Sequence, residues 1–132
     1  MTVQLDHLMI PARSATAAAR RLAEVLGVPW APARIGPFIA VHVNDGLTID
    51  FDERSGAFDK GHFCFRVSET EFGAILGRLM AAGIAYRSLP HGSDDFQVNT
   101  SVGGRVVYWR EPDDHVWELL TVSYARASAS GA

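Results

Sequence analysis

Apolar positions in this chain follow two rhythms, a period of two that marks strands and one near 3.6 that marks helices. Residues 5–10 (LDHLMI) read as an apolar strand, closed by Pro11, with His7 in its middle. Ser14 can cap a helix through ATAAARRLAEVLG, where Ala18, Leu22, Val25 and Leu26 recur at helical spacing and Gly27 supplies the stop. The β-rich runs 37–43 (PFIAVHV) and 47–53 (LTIDFDE) follow, joined by Asn44-Asp45-Gly46, a hairpin signal.

The pattern then restarts. Residues 61–67 (GHFCFRV) form a strand with a histidine near its start, as in the first case. Ser68 and Glu71 make a capping box for a helix whose apolar stripe is Phe72, Ile75, Leu76, Leu79 and Met80, ended by Gly83. AYRSL, 105–110 (RVVYWR) and 116–124 (VWELLTVSY) complete the strands, the last two flanking the turn Glu111-Pro112-Asp113-Asp114-His115. Strand, helix and strands thus occur twice, an internal repeat. The hairpins match locally: NDGLTIDF has the shape of PDDHVWEL, with Asp50 falling where Glu118 falls. The second copy carries extra residues, 90–104, as a loop or an added strand, and the tail 127–132 reads as disordered. The fold class is α+β in one domain over 1–126, with modules of about 2–54 and 60–124.

Alternation assigns faces. A three-residue hairpin loop pairs Val43 with Leu47, His42 with Thr48 and Ala40 with Asp50. One face then reads Phe38, Ala40, His42, Thr48, Asp50, Asp52, and the other Ile39, Val41, Val43, Leu47, Ile49, Phe51. A two-residue loop would mix the faces, so the first register is expected. The apolar face packs under the helices. The other holds Asp50 and, by repeat equivalence, Glu118, with His7 and His62 at matching places in the leading strands.

Bulk properties narrow the chemistry. A chain of 132 residues can bury a core without disulfides, and its single cysteine, Cys64, has no internal partner, which fits a reducing cytosol. A net charge of −3 leaves no footprint for nucleic acid or anionic membrane. No export signal is visible, and no apolar run approaches the roughly 20 residues that span a bilayer. The expectation is a soluble cytoplasmic protein acting on a small molecule.

Taken singly, His7 or His62 is more often a satisfied structural histidine than a ligand. Asp50 and Glu118 are more telling, because carboxylates in such apolar strands are costly unless solvated, paired or metal-bound. For Glu118 the plain alternative is an edge carboxylate in water or paired with Arg105 or Arg110. The conjunction decides: histidine and carboxylate recur at equivalent positions of both repeats. Two imidazoles with one or two carboxylates suit a divalent transition metal. His42 shares Asp50's face, while Met9 and Cys64 sit two residues beyond His7 and His62 as pocket walls or plain packing. His91 and His115 lie in loops and are expected non-ligands. No HExxH, CxxC, P-loop or GxSxG motif competes.

On LDHLMI with His7, the helix ending LG, GHFCFRV with His62, the helix ending AAGI, and YWREPDDHVWELL with Glu118, the chain resembles the vicinal oxygen chelate superfamily. That group holds glyoxalases, bleomycin-resistance proteins and extradiol dioxygenases, and the likeness spans about residues 3 to 125. The resemblance implies a pair of βαβββ modules (the glyoxalase-like fold) forming a cleft around a divalent ion, commonly in a homodimer. It implies ligands at His7, His62 and Glu118, with Asp50 at the fourth position, and an ion such as Zn, Ni, Mn, Co or Fe(II). Bacterial glyoxalase I usually has glutamate at that fourth place; aspartate is one methylene shorter and can reach an ion through water. Fosfomycin-resistance enzymes usually place threonine where Met9 stands, which argues against their activity. The family turn usually has glycine where Asp114 stands, a residue type that tolerates a left-handed backbone.

The resemblance implies bidentate binding of vicinal oxygens, with Glu118, then Asp50, as base. Tyr108, Arg110 and His42 are candidate substrate contacts. The leading expectation is a metal-dependent isomerase or lyase of the glyoxalase type. The alternatives are an iron(II) extradiol-type dioxygenase and a drug-sequestering binding protein without catalysis.

Overall fold

The computed structural model describes residues 2–126 and divides the chain into two compact units, Met1–Gly61 and His62–Ala132. The expected disordered tail lies outside the described residues.

The first unit runs β1 (His7–Ala12), α1 (Ala15–Leu26), β2 (Trp30–Pro32), β3 (Ile39–Asn44) and β4 (Leu47–Glu53). Its sheet has the order β1-β4-β3-β2, with β1 parallel to β4 and the other pairs antiparallel. Ser14 Oγ accepts from the Ala17 N–H at 3.2 Å, and Gly27 ends the helix at φ 73°. Glu53 Oε1 accepts from the Ala15 N–H at 3.1 Å, tying the helix start to the end of β4. The alanine-rich face of α1 packs across β3 and β4, closing a core of Ala19, Leu22, Val41, Ile49 and Phe51.

Three details differ from expectation. The first strand does not stop at Pro11 but continues through it to Ala12. The Asp6 and Ala12 carbonyls accept from the N–H groups of Thr48 in β4 and of Arg54 just past it, so even-numbered positions face β4 and the Pro11 backbone faces the other flank of this end strand. A missing N–H costs nothing there. The hairpin tip is a two-residue loop, with Asn44 paired to Leu47, yet His42 pairs with Thr48 and Ala40 with Asp50 as the face argument requires. A bulge between His42 and Asn44 absorbs the extra residue and restores the alternation. Finally, β2 adds an edge strand that the proline-flanked WAP segment did not signal.

The second unit repeats the plan: β5 (His62–Arg66), α2 (Glu69–Ala81), β6 (Tyr86–Arg87), β7 (Val106–Arg110) and β8 (Val116–Leu120), in the order β5-β8-β7-β6 with β5 parallel to β8. The capping box forms as expected: Ser68 Oγ accepts from the Glu71 N–H at 3.1 Å, and Glu71 Oε1 accepts from the Ser68 N–H at 2.9 Å. Phe72, Ile75 and Leu79 of α2 are buried, whereas Met80 is exposed. One sheet face carries Phe63, Trp117 and Trp109 in register; the other carries Cys64, Glu118 and Tyr108. The last strand ends at Leu120, short of Tyr124, and the extra residues 90–104 form a loop with one isolated bridge, Asn99 to Val106. Asp114 adopts φ 67°, the left-handed turn position expected of it.

The repeat equivalence is exact to the residue in strand register. Met9 stands opposite Asp50 in the parallel pair of the first unit, and Cys64 opposite Glu118 in that of the second.

Candidate functional site

Glu118 lies mid-strand in β8, flanked by β5 and β7, and is only 1% exposed. Burying a carboxylate this deeply is costly unless its oxygens are satisfied. Both are. His62 Nε2 lies 2.8 Å from Glu118 Oε1, and the Tyr124 hydroxyl donates to Oε2. The Tyr108 and Tyr124 hydroxyls are 3.5 Å apart, and the His62 and Tyr108 rings meet edge to face at 6.1 Å between centroids. An imidazole, a carboxylate and two phenols therefore form one connected cluster on one face of the sheet.

The surroundings hold the Cys64 thiol and the two phenols in their protonated forms. Burial, with the negative charge of Glu118 beside it, pushes the Cys64 thiol up to about 12. Burial also raises the Tyr108 hydroxyl, and Tyr124 is raised by burial and by its bond to Glu118. At neutral pH both phenols are donors, and Cys64 is a wall rather than a nucleophile.

In the first unit His7 and Asp50 lie on the neighbouring strands β1 and β4, and the Asp50 charge helps to raise the His7 imidazole. The larger cause is Asp6, whose Oδ2 sits 2.8 Å from His7 Nδ1, and His7 is exposed. His42 is exposed and in register with Thr48, which in turn faces His7. Met9 is exposed beside Asp50. Arg110 ends β7 opposite Val116, exposed to solvent.

The four expected ligands thus lie two in each unit, and in the second unit His62 and Glu118 are in direct contact. Among the described residues, no group of three or more His, Cys, Asp or Glu side chains is set to hold a metal ion. Tyr124 was not foreseen. It lies past the end of β8, so strand alternation counted from Glu118 says nothing of where its ring falls. Arg87 was not foreseen either. It sits in β6 directly opposite Tyr108, 2% exposed, and its signal was a charge inside a run read as a strand, AYRSL.

No protein-family model and no curated protein matches the chain. Solved structures do. Oxidase ChaP-H2 shares 38% identity over 95% of this chain and 98% of its own, with a TM-score of 0.86. Oxidase ChaP-H1 is 38% identical over 95% of this chain and 100% of its own, at 0.85. A glyoxylase/bleomycin resistance protein/dioxygenase domain from Frankia sp. EAN1pec is 19% identical over 96% of each chain, at 0.71, a likeness of fold.

Proposed function

This chain belongs to the vicinal oxygen chelate superfamily, and on that premise we propose that it is a metal-dependent oxidase that consumes dioxygen and holds a small substrate by two adjacent oxygens. The observation that carries the reading is the buried Glu118 with His62 nitrogen at 2.8 Å, a borderline nitrogen and a hard oxygen aimed at one another. That donor set fits a divalent ion. His62 and Glu118 would hold it, and His7 and Asp50 are the matching donors of the first unit. When bound, the ion would supply Lewis acidity to the paired substrate oxygens. The oxidative choice rests on the two ChaP proteins, which are named oxidases and match nearly the full length.

The chain's own groups have definite roles in this reading. Glu118 accepts the proton of a substrate hydroxyl, and Tyr124 is the donor that holds its second oxygen. Tyr108, protonated at neutral pH, donates to a substrate oxygen. A second reading, an isomerase or lyase of the glyoxalase type, is favoured by the same Glu118 contacts, since a carboxylate between an imidazole and a phenol can move a proton without dioxygen.

Metal analysis and an oxygen electrode test both. The wild type is expected to hold about one divalent ion per chain after anaerobic loading. Glu118→Gln should weaken binding by more than the roughly 10–100-fold typical of outer-sphere changes. Iron-loaded protein should take up oxygen with catechols. Conversion of a hemithioacetal under nitrogen, with no uptake from any catechol, would instead establish the second reading. Full metal occupancy in Glu118→Gln would sink the ligand set.

A further inference from the structure

Arg87 is the most deeply buried cation of the second unit, and it is only partly paired. Its Nη1 donates to Asp94 Oδ1 at 3.2 Å, and that aspartate is about half exposed. Its Nε and Nη2 are buried with no partner among the described residues. In a planar guanidinium these two atoms share one edge, the side-on fork that takes both oxygens of a carboxylate. A buried polar group without a partner is unusual, and a buried charge without one more so. A purely anchoring arginine would spend its fork on its aspartate. Here Asp94 takes the other nitrogen.

The neighbourhood holds that arrangement in place. Asp95 Oδ1 accepts from the Ser88 N–H at 2.9 Å, and its Oδ2 accepts from the Ser88 hydroxyl. The Phe96 N–H donates to the Tyr86 carbonyl at 2.9 Å, and Asn99 Nδ2 donates to the Ser88 carbonyl at 3.1 Å. The loop after β6 is thus pinned to the end of that strand just beyond Asp94, at Asp95, Phe96 and Asn99, while the fork is left buried and without a partner among the described residues.

Position supplies the rest. Arg87 pairs with Tyr108, Tyr108 with Glu118, and Glu118 with Cys64. Directly opposed residues share a face, so these four form one row across the sheet. Arg87 and Glu118 are two strand spacings apart, about 10 Å between backbones. Tyr108 lies between them.

We infer that the Arg87 fork is the anion subsite of this protein, and that its substrate is a small carboxylate whose acid group lies about one aromatic ring from its paired oxygens. The inference rests on the oxygen-chelating site read at Glu118. It adds what that site alone does not specify, namely the charge of the substrate and the end by which it is held.

The test uses two probes that differ only in the acid group, 3,4-dihydroxybenzoate and 3,4-dihydroxybenzamide, with benzoate and benzamide as anion-only controls. In the full chain, the ¹⁵N–¹H resonance of Arg87 Nε, assigned by its loss in Arg87→Lys, should move with benzoate and not with benzamide. Calorimetry should show the dihydroxy acid bound at least about tenfold tighter than its amide. Arg87→Lys should compress that ratio to about threefold, and Arg87→Met to about one, because a point charge or none replaces the fork. A resonance unmoved by benzoate at about 50 mM, where a millimolar site is filled, overturns the inference without any variant. An acid preference that survives in Arg87→Met overturns it as well. Arg87-dependent acid preference without oxygen uptake keeps the subsite and removes the oxidase reading; uptake with equal binding of acid and amide does the reverse.

Discussion

Two carboxylates of the second unit are buried, and they differ in how they are satisfied. Glu118 has partners at both oxygens. Glu111, in the turn after β7, accepts from the His115 N–H at 2.9 Å through Oε1, while Oε2 is buried with no partner among the described residues. Burial raises its pKa from the ordinary 4.5. A carboxyl raised in the folded state binds its proton more tightly there than in the unfolded chain. Its penalty is therefore absent below the unfolded value, grows as pH rises through the folded one, and is full above it. Glu111→Gln keeps the acceptor and removes the charge. It should stabilise by about 1 kcal/mol well above the carboxyl range. The gain should shrink as pH falls toward 4.5, as read by urea unfolding at several pH values. A gain equal at every pH would show that charge burial is not its cause.

The elements carry opposite glycine effects. Gly73 lies inside α2, and a Cβ built there meets nothing within 4 Å. Gly73→Ala should therefore stabilise by about 0.5–1 kcal/mol through helix propensity alone. Gly104, just before β7, has φ +62°, and its Cβ would come within 2.3 Å of Thr121 Oγ1 and 2.8 Å of Val122 Cγ2. Thr121 Oγ1 also accepts from the Arg105 N–H at 2.9 Å, so a methyl at Gly104 would break the bond that starts the strand. Gly104→Ala should cost about 1–3 kcal/mol. Midpoint shifts of opposite sign in urea are the check. Helices, hairpins and the repeat were legible in the sequence because caps, glycine stops and alternation act locally. The bulge at Val43 was not, since it arises when a two-residue turn must serve a face pattern fixed by burial. At the candidate site, the match of Asp50 with Glu118 could be read from hairpin shape. Tyr124 could not, as its contact depends on how the chain bends after Leu120. Arg87 could have been found by the reasoning applied to Glu118, a charge inside a run read as a strand.

At the scale of the whole molecule, one strand plan is used twice with different side chains at equivalent places. Ala40, Asp50 and Met9 form a row in the first unit where Tyr108, Glu118 and Cys64 form one in the second. The second row is the more buried and the richer in donors, and it is the row on which the proposed substrate contacts fall. Metal linkage makes the proposal measurable as stability. An ion at about 100 times its Kd should add about 2.7 kcal/mol if only the folded state binds it. Thermal unfolding with and without Zn or Mn should show that gain in the wild type and lose it in Glu118→Gln. No helix among the described residues is long and apolar enough to cross a membrane.

Pro11 has a bearing on how the molecule behaves in crowded solution. A strand with a bare flank invites a foreign strand to zip along it, the first step toward amyloid-like stacking. Because Pro11 has no N–H on the flank of β1 turned away from β4, a strand pairing along that flank would lack a ladder bond near the end of β1. The residue that looked like the end of a strand instead weakens pairing along its second flank.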